Sequence, residues 1–126
     1  MWNFPPSTKI YLAVERIDGR KGIPALSILV RSTLLLDPLS GHVFVFISRR
    51  GNSAKLLYWD HNGYVLVNKR LERGTFSSPH CDNAATYLTI ASRHLLALIA
   101  GFDLRHLRER AAWLPPSSRA SSANSI

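Results

Sequence analysis

In His42-Val43-Phe44-Val45-Phe46-Ile47 the residues on both alternating faces are apolar. A strand with that pattern must be covered on both sides, so it belongs in the middle of a sheet with other elements packed above and below. The rest of the chain can then be read as what surrounds it.

Upstream, Ile10 to Val14 is a short apolar run rich in strand formers and predicts a first strand. Asp18-Gly19-Arg20-Lys21-Gly22 breaks it. From Ile23 to Leu36, apolar residues at 23, 26, 30 and 34 recur at helical spacing. Pro24 suits the first helical turn, and Asp18 or a nearby backbone group is placed to cap it. Asp37-Pro38 should end this helix, because a residue before proline avoids the helical region.

Downstream, Arg49-Arg50-Gly51-Asn52-Ser53 is a polar turn, Lys55 to Asp60 a strand, and Tyr64 to Asn68 its partner. Asn62-Gly63 between them is a strong hairpin signal, with both turn residues favouring positive φ. Strand alternation sends Tyr58 and Trp59 to opposite faces, and we place Trp59 in the core. Residues 77–85 read as a loop and Thr86 to Leu88 as a short edge strand. A second helix is expected from Ile90 to about Ala100, capped by Thr89 and closed by Gly101, with Leu95, Leu98, Ile99 and Phe102 as its apolar stripe.

The order β-α-β-β-β-(β)-α predicts an α+β fold, a small antiparallel sheet of about four to five strands with two packed helices. A length of 126 residues suits one domain. We assign it to residues 1–110, and expect 111–126, Ser- and Pro-rich with little to bury, to be a disordered tail. No internal repeat is present.

A single cysteine, Cys81, allows no internal disulfide and fits a reducing compartment. No run of 18 uncharged apolar residues exists to span a membrane. The N-terminus has no basic region followed by an apolar core. The expected location is therefore the cytoplasm, with no membrane partner.

Sixteen Lys and Arg against 8 Asp and Glu leave a net charge of +8. Arginine supplies 12 of the 16, and its planar fork suits phosphate and carboxylate. Residues 49–75 hold six basic and two acidic groups, so half the excess sits in 27 residues. Such a balance favours polyanionic partners, above all nucleic acid. Arg49, Arg50 and Lys55 flank one strand connection, and Lys69, Arg70 and Arg73 end the hairpin. Tyr58, Trp59 and Tyr64 lie between them, a pattern in which cations hold phosphates while rings stack on bases. A second basic cluster runs from Arg105 to Arg110.

Catalytic chemistry finds little support. The five histidines have no metal-site spacing, and His80-Cys81 supplies at most two ligands. Gly19-Arg20-Lys21-Gly22 lacks the frame of a nucleotide-binding phosphate loop. Asp18, Asp37, Asp60 and Glu72 each have a local structural role that accounts for them better than a two-metal nuclease site does. We therefore expect no enzyme, no metal and no cofactor.

The stretch Asp37-Pro38-Leu39-Ser40-Gly41-His42-Val43-Phe44-Val45-Phe46, followed by Arg49-Arg50-Gly51, Lys55-Leu56-Leu57-Tyr58-Trp59-Asp60, Gly63 and Lys69 to Phe76, closely resembles one family. It is the small TnpB-type accessory protein of the insertion-sequence class numbered sixty-six. Asp18-x-Arg20-Lys21-Gly22 resembles that family's motif opening its first helix. Leu95 to Arg105 resembles its closing Leu-Leu-x-Gly-x-Asp-x-Arg motif. The RNA-guided nucleases that share the name are several times longer and need an acidic catalytic site.

The resemblance implies a role in transposition beside a separately encoded DDE transposase. It leads to the expectation of a non-catalytic accessory protein that binds DNA at or near transposon ends through an arginine-rich edge. That edge comprises Arg20, Lys21, Arg49, Arg50, Lys55, Lys69, Arg70 and Arg73. The alternative is a protein-interaction module that recruits or assembles the transposase of the same element.

Overall fold

The computed structural model describes residues 4–77 and 84–101. In chain order these form strand β1 (Ile10–Ala13), helix α1 (Ile23–Ser32), β2 (Val43–Ile47), β3 (Ser53–Asp60), β4 (Gly63–Arg70), β5 (Tyr87–Ile90) and helix α2 (Ser92–Ile99). The expected α+β class and element order are present. The strands make one five-stranded sheet in the order β4-β3-β2-β1-β5.

All five residues of β2 are buried, as its doubly apolar pattern requires. Val43, Val45 and Ile47 face a core completed by Leu95, Leu98 and Ile99 of α2. Phe44 and Phe46 face the other core, closed by Leu26 and Val30 of α1 and Leu34 after it. The sheet therefore carries one helix on each face.

Three neighbouring pairs are antiparallel, but β1 and β2 run parallel, with Ile10 opposite Val43 and Leu12 opposite Val45. The sheet is thus mixed rather than wholly antiparallel. The reason lies in the connection: the segment from β1 to β2 contains α1, and a crossover of that length returns the chain in the same direction.

Helix α1 begins where Pro24 suggested, and of the two expected caps it takes the backbone one, at Gly22, with no side-chain cap bond. Asp18 makes other contacts, described below. The helix also stops at Ser32, short of Leu36, because Leu35 takes a left-handed φ of 57°. The Leu36 N–H then reaches back to the Val30 carbonyl at 3.0 Å. Asp37 accepts the Leu39 N–H at 2.9 Å, fixing the Asp37-Pro38 turn.

At the β3–β4 hairpin, Asp60 pairs with Gly63, so His61 and Asn62 form the turn, one residue earlier than Asn62-Gly63 implied. His61 supplies the positive φ, at 52°. Thr89 is no helix cap. It lies inside β5 opposite Tyr11, and Ala91 takes the cap position of α2.

Among the described residues no helix is long and apolar enough to cross a membrane. His80-Cys81, Phe102, the basic cluster from Arg105 to Arg110 and the tail 111–126 lie outside the described residues.

Candidate nucleic-acid interface

The turn between β2 and β3 is built on hydrogen bonds of its own residues. Gly51 donates its N–H to the Ser48 carbonyl at 2.8 Å, and its φ of 80° needs a glycine. Arg49 and Arg50 occupy the two central positions and are exposed. Ser48 accepts the Ser53 N–H on its hydroxyl at 3.1 Å, which closes the base of the turn.

Neighbouring segments clasp this turn. Ile17 bridges Ser48, and the Arg49 N–H donates to the Ile17 carbonyl at 2.7 Å. On the other side, the Leu71 and Phe76 N–H groups donate to the carbonyls of Asn52 and Gly51, each at 2.7 Å. Arg16 and Thr75 press in as well: a Cβ placed on Gly51 would lie 2.8 Å from Arg16 Nη1 and 3.1 Å from Thr75 Cβ.

The result is an open cleft of about 560 Å³, walled by the Asp18–Arg20 loop, the 48–53 turn and the end of β4. Arg20, Arg49, Arg50 and Arg70 all line it, so four of the eight expected cations meet there. Arg70 arrives because it pairs with Ser53, which puts both on the α1 face of the sheet.

Among the described residues, Asp18 is the only acidic one in the lining. Its carboxylate accepts from Arg20 Nε at 3.1 Å, Arg20 Nη2 at 2.8 Å and the Arg20 backbone N–H at 2.9 Å. These bonds, the side-chain ones first, hold the Asp18 carboxyl well below the usual carboxylate range, with Arg49 adding attraction. Asp18 in turn raises the basicity of Arg20. The pair fixes a guanidinium whose side chain remains 91% exposed. Sequence reasoning offered Asp18 or a nearby backbone group as the helix cap; the Asp-x-Arg spacing was the available signal for the clamp.

The other four expected residues are placed differently. Arg73 is exposed on the short loop between Leu71 and Phe76, beside the clasped turn. Lys21 flanks the cleft at the entry to α1. Lys55 is buried, and its Nζ donates to the Lys21 carbonyl at 2.7 Å, so its charge serves the loop behind the cleft. Lys69 is turned to the opposite face by strand alternation, where its Nζ donates to the Ile99 carbonyl at 2.8 Å.

The aromatic residues are also apart from the arginines. Trp59 and Tyr64 pack edge to face at 5.1 Å beside the β3–β4 turn. Ser53 and Trp59 are six residues apart on β3, roughly 20 Å at the rise of a strand. Trp59 is half-buried and outside both cores, whereas Tyr58 packs on the α2-side core and meets Phe4 at 5.5 Å. The expectation of a core Trp59 is corrected: its face is covered by α1 further along the strand, over Leu57, and the hairpin end is left open.

A second surface feature was not foreseen. Ile28 of α1 is 64% exposed and Leu35 is 79% exposed. Nearby, Val14, Leu29, Leu34 and Phe46 line an apolar pocket of about 360 Å³.

The sequence matches the family described as IS66 Orf2 like protein over residues 8–109. It is also similar to two proteins of Sinorhizobium fredii (strain NBRC 101917 / NGR234). The uncharacterized protein y4hO is 36% identical over 109 residues, 86% of this chain and 91% of its own length. The uncharacterized protein y4jC is 34% identical over 102 residues, 81% of this chain and 86% of its own. No solved structure matches the chain.

Proposed function

The chain belongs to the IS66 Orf2 like family, and from that membership we propose that it is a non-catalytic accessory protein of insertion-sequence transposition that binds DNA at or near the transposon ends. One observation carries the DNA-binding part: Arg20, Arg49, Arg50 and Arg70, distant in sequence, converge on a single open cleft. Arginine forks offer paired donors to phosphate oxygens, and phosphate contacts position a protein on DNA. Arg73 and Lys21 extend the same positive end, and Lys55 supports it from behind.

With Arg20, Arg49, Arg50, Arg70 and Arg73 each neutralising a phosphate, log affinity should fall with log salt at a slope of about −4.5. Salt-titrated anisotropy with labelled transposon-end DNA measures this. Arg49→Ala/Arg50→Ala should reduce the slope by about 1.8 while leaving stability within about 0.5 kcal/mol, because both side chains are exposed on a turn. No binding at low salt, or a flat salt response, contradicts the proposal.

A second reading rests on the exposed Ile28 and Leu35, sequence neighbours of Leu29 and Leu34 in the lining of the apolar pocket. Exposed apolar side chains next in sequence to Leu29 and Leu34 of an apolar groove fit a protein partner, here the transposase of the same element. Co-purification that survives nuclease treatment and is lost in Ile28→Lys/Leu35→Lys would establish it. A complex that dissolves with nuclease points back to DNA as the tether.

A further inference from the structure

We infer that the arginine cleft takes the sugar-phosphate backbone of duplex DNA and reads no bases, so that it has no preference of its own for transposon-end sequence. This rests on the DNA-binding reading above and specifies its ligand.

Three observations carry it. Among the described residues, no aromatic side chain lines the cleft. Sites for single strands combine a basic groove with rings on which bases stack. On the same sheet face, the half-buried Trp59 and Tyr64 are packed on each other at the far end of the hairpin.

The second observation is the clasped turn. Reading base edges requires an element that enters a groove, such as a helix or a two-stranded ribbon. The β2–β3 turn is the tip of such a ribbon, but it does not project. Ile17 holds it on one side, Leu71 and Phe76 on the other, and Arg16 and Thr75 fill the space around Gly51. Flanked by these segments, Arg49 and Arg50 are exposed to a surface and not inserted into a groove.

The third is the single acid that the described residues place in the lining. Asp18 accepts three hydrogen bonds from Arg20, two on Oδ1 and one on Oδ2, so most of its acceptor capacity is engaged before any base arrives. A carboxylate reads a base by accepting from cytosine N4, and this one is already largely committed to Arg20. What the cleft offers is positive charge in a fixed frame. Such a site favours the ligand of higher charge density, and a duplex carries about one charge per 1.7 Å against about one per 3.4 Å for a single strand.

The test uses the full chain and three labelled probes of equal length: transposon-end duplex, random duplex and single-stranded oligo-dT. Binding is measured across a salt series. The two duplexes should bind within about twofold of each other, since phosphate contacts carry no sequence information. The single strand should bind at least about threefold more weakly, with a salt slope near −3.5 against about −4.5 for duplex. Trp59→Phe, which retains a ring on the hairpin, and Trp59→Ala should both bind duplex like the parent.

Tighter binding of oligo-dT, weakened by Trp59→Ala, overturns the inference. So does a tenfold or greater preference for the transposon-end duplex, a discrimination typical of base readout. Absence of binding to all three probes at low salt is a different result, because it removes the DNA-binding reading itself.

Discussion

Lys55 reaches from the middle of β3 to the segment before α1 and donates its Nζ proton to the Lys21 carbonyl at 2.7 Å. The bond joins residues 34 positions apart and ties the sheet to the loop that carries Asp18 and Arg20. The ammonium of a buried side chain thereby finds a backbone acceptor.

Replacing Lys55 with methionine keeps most of the side-chain volume and removes the donor. The expected loss is about 1–3 kcal/mol, the usual penalty for a stranded buried acceptor. Urea unfolding of Lys55→Met measures it. A midpoint equal to the parent's would mean that solvent satisfies the Lys21 carbonyl.

Gly51 and Gly74 form a matched pair, with φ values of 80° and 77°. An alanine at either position meets the left-handed penalty of about 1–2 kcal/mol. Only at Gly51 would the new Cβ also meet Arg16 and Thr75, while space around Gly74 is open. Gly51→Ala should therefore lower the thermal midpoint more than Gly74→Ala. Equal shifts would show that the clasp around the turn yields freely.

Leu35 is a leucine in a left-handed conformation, 79% exposed, where a helix more often ends on glycine. Leu35→Gly relieves roughly 1–2 kcal/mol of backbone strain and returns about 0.5–1 kcal/mol in chain entropy. A net gain of about 0.5–1 kcal/mol should appear as a raised thermal midpoint. If the variant also loses transposase co-purification, the leucine is retained for its partner at the expense of stability.

Tyr11 stacks on Phe44 at 5.6 Å and meets Tyr87 edge to face at 5.1 Å. Burial, and secondarily Tyr87, raises its hydroxyl pKa above the ordinary 10.0. The folded state thus holds this proton at a pH where the unfolded chain has released it. Stability is unaffected below about pH 10 and falls as pH rises through the folded value. Tyr11→Phe should flatten that alkaline decline in denaturant titrations between pH 9 and 11.

The doubly apolar run at residues 43–47 was enough to place β2 at the centre of the sheet, because burial on both faces leaves no other position for it. Pro24, the polar turn at 49–53 and the 62–63 region located element boundaries within a few residues. Each is a local backbone preference, expressed wherever the chain is. Thr89 misled for the same reason: its capping preference is weak, and pairing of β5 with β1 outweighed it.

The candidate site was legible as a set of residues and not as an arrangement. Charge grouped Arg49, Arg50, Lys55, Lys69, Arg70 and Arg73, with the rings of Tyr58, Trp59 and Tyr64 between them, and the expected edge also held Arg20 and Lys21. The cleft keeps Arg20, Arg49, Arg50 and Arg70. Strand alternation sent Lys69 to the α2 face, and a carbonyl on the approach to α1 drew Lys55 inward.

Sequence by itself determined the element order, the central strand, the turns and the excess of positive charge. Those follow from short-range periodicity and backbone preference. Tertiary structure alone decided that β1 runs parallel to β2, that Asp18 clamps Arg20 in the cleft and that the arginines stand apart from the aromatic pair. Such relations depend on which strand lies beside which and in what register, and contacts between residues 20 to 70 are set by the packing of the whole sheet.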